Sequence, residues 1–122
     1  MTENSQRAVE FLELASAGRV DEAYQLTAPG GKHHNQYLEA GWEALKAGTK
    51  AAGERTPDQQ LDVKHVVESG DLVAVHSHVV PHPGGAGIAV VHLFRFESGR
   101  IAELWDVGQP VEPDSPNSDG TF

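Results

Sequence analysis

The spacing of apolar and polar positions changes period once along the chain, near Gln60. Before that point it is helical. From about Ser5 to Ala17, Val9 and Leu12 share a side with Ser16, while Phe11, Leu14 and Ala15 widen the stripe at i, i+3 and i+4 spacing. Gly18 is the expected C-cap. A shorter helix is predicted over about Val20–Thr27, carrying Ala23, Tyr24 and Leu26, and Pro29-Gly30-Gly31 breaks it. Lys32 to Asn35 reads as a loop, with Asn35 a candidate N-cap. A third helix is predicted over about Gln36–Ala47 with Tyr37, Leu38, Trp42 and Leu45. Gly48 interrupts it, and a last turn reaches Gly53. Glu54 to Asp58, with Pro57, is a loop.

From Gln60 the period is two. Leu61, Val63, His65 and Val67 alternate with Asp62, Lys64 and Val66, and Ser69-Gly70-Asp71 makes a turn. The next strand, Leu72–Val80, puts Val73, Val75, Ser77 and Val79 on one face and Leu72, Ala74, His76, His78 and Val80 on the other. Pro81 to Gly87 cannot be a central strand. A final hairpin, about Ile88–Glu97 and Arg100–Val107, turns at Ser98-Gly99. Residues 110–122 form an aperiodic tail. Helices followed by a four-stranded antiparallel meander give an α+β fold in one domain, residues 1–122, with a pocket between sheet and helices.

The 122 residues are 39% hydrophobic, enough for one core, and no apolar run approaches the roughly 18 residues of a membrane span. The first residues lack a signal-peptide pattern, so a cytoplasmic protein is expected. Nine basic against eighteen acidic residues, net −9, exclude nucleic acid and anionic membrane as partners. The absence of cysteine excludes disulfides, thiolate metal sites and a cysteine nucleophile.

Chemistry centres on Asp106. In one register of the final hairpin His92 faces Trp105, and Asp106 points outward. Shifted by one residue, His92 faces Asp106 on an apolar surface with Phe94, Phe96, Ala102 and Leu104. A carboxylate beside an imidazole is a usable acid/base pair, and a dry pocket would raise the pKa of the carboxyl. A bulge near the turn decides between the registers. The bland reading makes Asp106 a hydrogen-bonded strand-end residue and His92 a satisfied cross-strand histidine. His76 and His78 share a face, but no third ligand is spaced to join them, so no metal is expected. His33 and His34 mark a helix entry. His65 and His82 read as strand surface and loop. No phosphate-binding loop and no Gly-x-Ser-x-Gly elbow is present.

Three segments carry a resemblance. They are His34-Asn35, similar to a Gln-His-Asn motif; Gly70 to His78; and Gly99 to Pro110, followed by Pro116 to Phe122. On these the chain resembles the SnoaL-like proteins of the nuclear transport factor 2-like superfamily, which include polyketide cyclases and aldol-condensation enzymes. The resemblance implies a cone-shaped curved antiparallel sheet wrapped around the N-terminal helices. It further implies a homodimer through the convex face and acid/base catalysis without metal or cofactor. Carried onto this sequence, Asp106 is the acid/base. His34 and His92 join it as catalytic candidates. Asn35, Tyr37, His76, His78, Phe94, Trp105 and Gln109 are the candidate substrate-binding residues. The expected partner is a small hydrophobic or carbonyl-containing molecule, cyclised by aldol closure or isomerised. The alternative is a binding or oligomerisation module that uses the same cavity, lined by Phe94, Phe96, Tyr37 and Trp105, without chemistry.

Overall fold

The computed structural model describes residues 1–122. The elements are α1 (Glu3–Ser16), α2 (Val20–Tyr24), β1 (Thr27–His33), α3 (Trp42–Arg55), β2 (Gln60–Ser69), β3 (Leu72–Val80), β4 (Ile88–Glu97) and β5 (Arg100–Pro110). The strands form one curved sheet in the order β1-β5-β4-β3-β2. The long strands pair antiparallel, whereas β1 lies parallel to β5. No helix is long and apolar enough to cross a membrane.

The α+β class and the boundaries of β2, β3 and β4 match the sequence pattern, while β5 runs on to Pro110 rather than ending at Val107; three further expectations are corrected. First, β1 is a fifth strand where a loop was expected. Pro29-Gly30-Gly31 reads as a break, yet it forms a bulge between the pairs Thr27–Ile101 and Lys32–Glu103. Gly30, at φ +71°, makes that bend at no steric cost. Second, α3 starts at Trp42 rather than Gln36 and runs through Gly48 and Gly53 to Arg55. Third, Asn35 caps no helix. Its Oδ1 instead accepts the Tyr37 amide at 3.0 Å, an Asx-turn that competes with helix initiation. Gly41 holds the N-cap position.

The core lies between the concave face of the sheet and the helices. Val73, Val75, Phe94, Phe96, Ile101 and Leu104 face Ala8, Phe11, Leu12, Val20, Ala23, Tyr24 and Leu45. Phe11 stands at the middle, edge-on to Tyr24 at 5.1 Å and to Phe94 at 5.8 Å. Thr2 caps α1 by accepting the Ser5 amide at 3.2 Å. The Ser5 hydroxyl donates to Glu68 at 2.7 Å, tying the helix start to the end of β2.

Trp42 closes the open side of this core. Its indole N–H donates to the Ala28 carbonyl at 2.8 Å, and its ring lies over Gly31, where a Cβ would meet ring atoms at 2.5 Å. A rigid ring held by a hydrogen bond cannot slide away cheaply. Gly31→Ala is therefore expected to destabilise by about 1–3 kcal/mol through overpacking. Urea unfolding checks this; wild-type stability in the variant would contradict the packing.

Candidate functional site

The hairpin β4–β5 sets the site. Its turn residues Ser98 and Gly99 both have positive φ, 50° and 78°, which suits a two-residue hairpin. Next to the turn, Phe96 pairs with Ile101, but Arg95 pairs with Glu103. Ala102 is the extra residue of a bulge, and Ile101 and Ala102 are buried in succession. Beyond it the register has slipped by one, so His92 lies opposite Asp106 and Leu93 opposite Trp105. Asp106 thus shares the concave side with Leu104, and Trp105 takes the outer side.

A cleft of about 540 Å³ opens between this end of the sheet, α1 and α3. Its walls are mainly apolar, with Phe11, Leu12, Leu45, Leu61, Val79 and Leu104 among them. Polar groups enter from Tyr24, Thr49, Asn35, His92 and Asp106. Of the two placements the sequence left open for Asp106, solvent or pocket, the structure combines both: the carboxylate is exposed within the mouth of the cleft and not sealed in a dry pocket. Its Oδ2 accepts a hydrogen bond from Asn35 Nδ2 at 3.2 Å. Asn35, Tyr37 and Asp106 also border a second cleft of about 610 Å³, which continues along β4 and β5 past Gly108 and Gln109. The carboxylate therefore stands where the two clefts meet.

The segment between β1 and α3 presents Asn35, and His33 braces it. His33 Nδ1 accepts the Asn35 amide at 3.1 Å, which leaves Nε2–H to donate to the Glu39 carbonyl at 2.7 Å. Leu38 packs on α3 at Gly48, where an added Cβ would lie 2.8 Å from its tip. Within the cleft, the Thr49 hydroxyl donates to the Leu45 carbonyl at 2.8 Å, so Tyr24 O–H donates to Thr49 at 2.9 Å. Burial pushes the Tyr24 phenol up to about 12; the Thr49 hydrogen bond opposes this and the Asp106 charge adds to it.

His92 is half-buried, with Nδ1 enclosed and without a partner. Desolvation lowers its pKa to about 4, against the raising effect of the Asp106 charge. The imidazole next to the carboxylate is accordingly neutral at pH 7. Ser77, fully buried one row away on β3, carries the other enclosed polar atom without a partner, its hydroxyl oxygen.

The remaining expected site residues lie elsewhere. Phe94 is fully buried beneath the cleft and does not line it. His34 stacks on Trp105 at 4.9 Å, and its Nε2 donates to Glu103 at 2.6 Å. That bond and Arg95 hold the Glu103 carboxyl below the usual range. The His34 ring borders only the second cleft, as does Gln109. Trp105, His76 and His78 are outside both clefts because strand alternation turns them to the outer face. There His76 and His65 share a hydrogen bond between Nδ1 atoms at 2.9 Å. His78 Nε2 donates to the Ala86 carbonyl at 2.7 Å, and Phe122 packs over His76 and His78. Tyr24, Thr49 and Arg55, which do line the cleft, were not among the expected site residues. Tyr24 read only as one apolar position of a short helix.

The family profile described as a SnoaL-like domain matches residues 8–104. The match ends two residues before Asp106, so it bears on the fold and not on that carboxylate. No curated protein sequence matches the chain. Solved structures share the fold at low identity. AclR of Streptomyces galilaeus, provisionally assigned as a hydroxylase, is 21% identical with TM-score 0.78, over 90% of this chain and 81% of that one. A SnoaL-like protein of unknown function from Burkholderia thailandensis is 17% identical with TM-score 0.76, over 89% and 98%. A provisionally assigned SnoaL-like polyketide cyclase from Jannaschia is 22% identical with TM-score 0.73, over 88% and 86%.

The neutral His92 has a consequence for stability. Its pKa is lower folded than unfolded, so the folded state resists a proton that the unfolded chain accepts. The stability is complete above the ordinary value of 6.5 and falls as pH drops from there towards about 4. Relative to His92→Gln, wild type is expected to lose on the order of 1–2 kcal/mol between pH 7 and pH 4.5 in urea unfolding. A difference independent of pH would contradict the burial.

Proposed function

Because the chain belongs to the SnoaL-like domain family, we propose that it is a cofactor-independent acid/base enzyme acting on a small carbonyl-containing molecule. The observation that carries this reading is the Asp106 carboxylate, hydrogen-bonded to Asn35 and opposite a neutral His92, at the mouth of a mainly apolar cleft. In the proposed step, an Asp106 oxygen takes a proton from the carbon next to the substrate carbonyl. The C–H electron pair moves into the carbonyl, whose oxygen becomes an enolate. Asn35 has a second amide N–H, and neutral His92 carries one N–H donor. Either can hydrogen-bond the developing oxyanion without charging the site.

Two outcomes follow from the same enolate. In an aldol closure its carbon attacks a second carbonyl of the substrate, a C–C bond forms, and the new alkoxide recovers the proton from Asp106. In an isomerisation the proton returns to a different carbon. Neither needs an electron acceptor. The provisional cyclase assignment of the Jannaschia structure agrees with the first outcome. The open position of Asp106 favours a second reading, a module that binds a small apolar molecule in the cleft without reacting.

Proton exchange separates these readings before any substrate is known. In D₂O the wild-type protein is expected to accelerate deuterium incorporation at the α-carbon of one or more of a panel of β-keto esters, followed by NMR. Asp106→Asn is expected to reduce that acceleration by about 10²–10⁴-fold. Exchange that persists in Asp106→Asn would remove the carboxylate from the mechanism.

A further inference from the structure

The cationic side chains of this chain are almost all engaged. Arg7 pairs with Glu3, Arg19 with Glu22, Lys46 and Lys50 with Asp21, Lys64 with Asp62, and Arg95 with Glu97 and Glu103. Arg100 donates to the carbonyls of Gln25 and Thr27 at 3.3 Å. Lys32 and Arg55 have no acceptor. Lys32 does not line the cleft; Arg55 does. Arg55 closes the last turn of α3 and pairs with neither Glu54 nor Asp58, its neighbours in sequence. In a chain of net charge −9, an unpaired guanidinium on a cavity wall is an uncommon arrangement.

Its place in the cleft is set by the sheet. Asp106, His92 and Val75 occupy one row across the strands. Val79 and Leu61 pair in a row four residues further along β3, about 13 Å along the strands from that row and two to three strands, about 10–14 Å, across from Asp106. Gln59, two residues before Leu61, lines the cleft at that end with Arg55. Between the two ends the wall is apolar, with Phe11, Leu12, Leu45 and Ala52. The cleft thus carries a carboxylate at one end, a guanidinium and an amide at the other, and an apolar stretch between them.

We infer that the molecule taken by this cleft is an amphipathic carboxylic acid, its carboxylate on Arg55 and Gln59 and its enolisable carbonyl at Asp106. A guanidinium presents a planar pair of donors matched to a carboxylate. A single cation with one neutral amide suits a monoanion rather than a phosphate dianion. The inference rests on the acid/base reading only for the reacting end, and the anion end is testable alone. The competing role for Arg55 is to complement the carbonyl end of the α3 dipole. That role affects stability and not ligand choice.

The test is calorimetric titration of the full chain with decanoate and with methyl decanoate, which share the apolar chain and differ in the charge of the head group. Arg55 is exposed, so the effect is modest: wild type is expected to bind the acid about five-fold more tightly than the ester. Arg55→Gln should equalise the two, and Arg55→Lys should keep part of the preference. Equal affinity in wild type, a preference that survives Arg55→Gln, or no binding of either probe would overturn the inference. Loss of proton exchange in Asp106→Asn with no acid preference in wild type would end this inference and spare the acid/base reading. The reverse pattern would leave an anion-binding cleft without that chemistry.

Discussion

One extra residue in β5 governs which groups meet in this molecule. A strand alternates its side chains with a period of two, so a slip of one residue exchanges its faces. Ala102 supplies that slip. On the turn side of the bulge Ile101 faces the core, and on the far side Leu104 and Asp106 do, while Glu103 and Trp105 face out. Without it Glu103 and the indole of Trp105 would turn into the cleft, and Leu104 and Asp106 would face out. The cleft, its carboxylate and the outer stack of His34 on Trp105 all follow from this register.

The helices complete what the register begins. Phe11 fixes α1 and α2 against Phe94, and Trp42 locks the start of α3 over Gly31, so the cleft has rigid walls. Its polar groups then take distinct electrostatic roles. Tyr24 is kept protonated by burial and spends its proton on Thr49, while His92 is kept neutral by desolvation. Asp106 is the carboxylate left exposed at the mouth of the cleft. Arg55 supplies the opposite charge at the far end, and the apolar wall between them sets the length of what fits.

Much of this was legible in the sequence because hydrophobic periodicity records burial directly. α1 and the four long strands followed from spacing alone, and the choice between two registers for Asp106 was visible, though the bulge that decides it was not. What stayed hidden depends on tertiary context. β1 contains Pro29, Gly30 and Gly31, residues that weaken a strand on average, yet here they bend around Trp42. The Asx-turn at Asn35 uses the same residue type as a helix cap and delays α3 by six residues. Of seven histidines, His92 alone lines the main cleft; His34, His76 and His78, also expected at the site, lie outside it. Arg55 carried no local signal, since being unpaired is a property of the fold and not of a motif.

We propose that the Ala102 bulge delivers Asp106 to the cleft as a proton acceptor beside neutral His92. A crystal structure soaked with acetylacetone, a small enolisable 1,3-diketone, tests it most directly. The diketone is expected in the cleft, its central carbon against an Asp106 carboxylate oxygen and one of its oxygens within hydrogen-bond distance of Asn35 or His92. A structure with Trp105 turned into the cleft, or with the diketone bound there out of reach of Asp106, would contradict it.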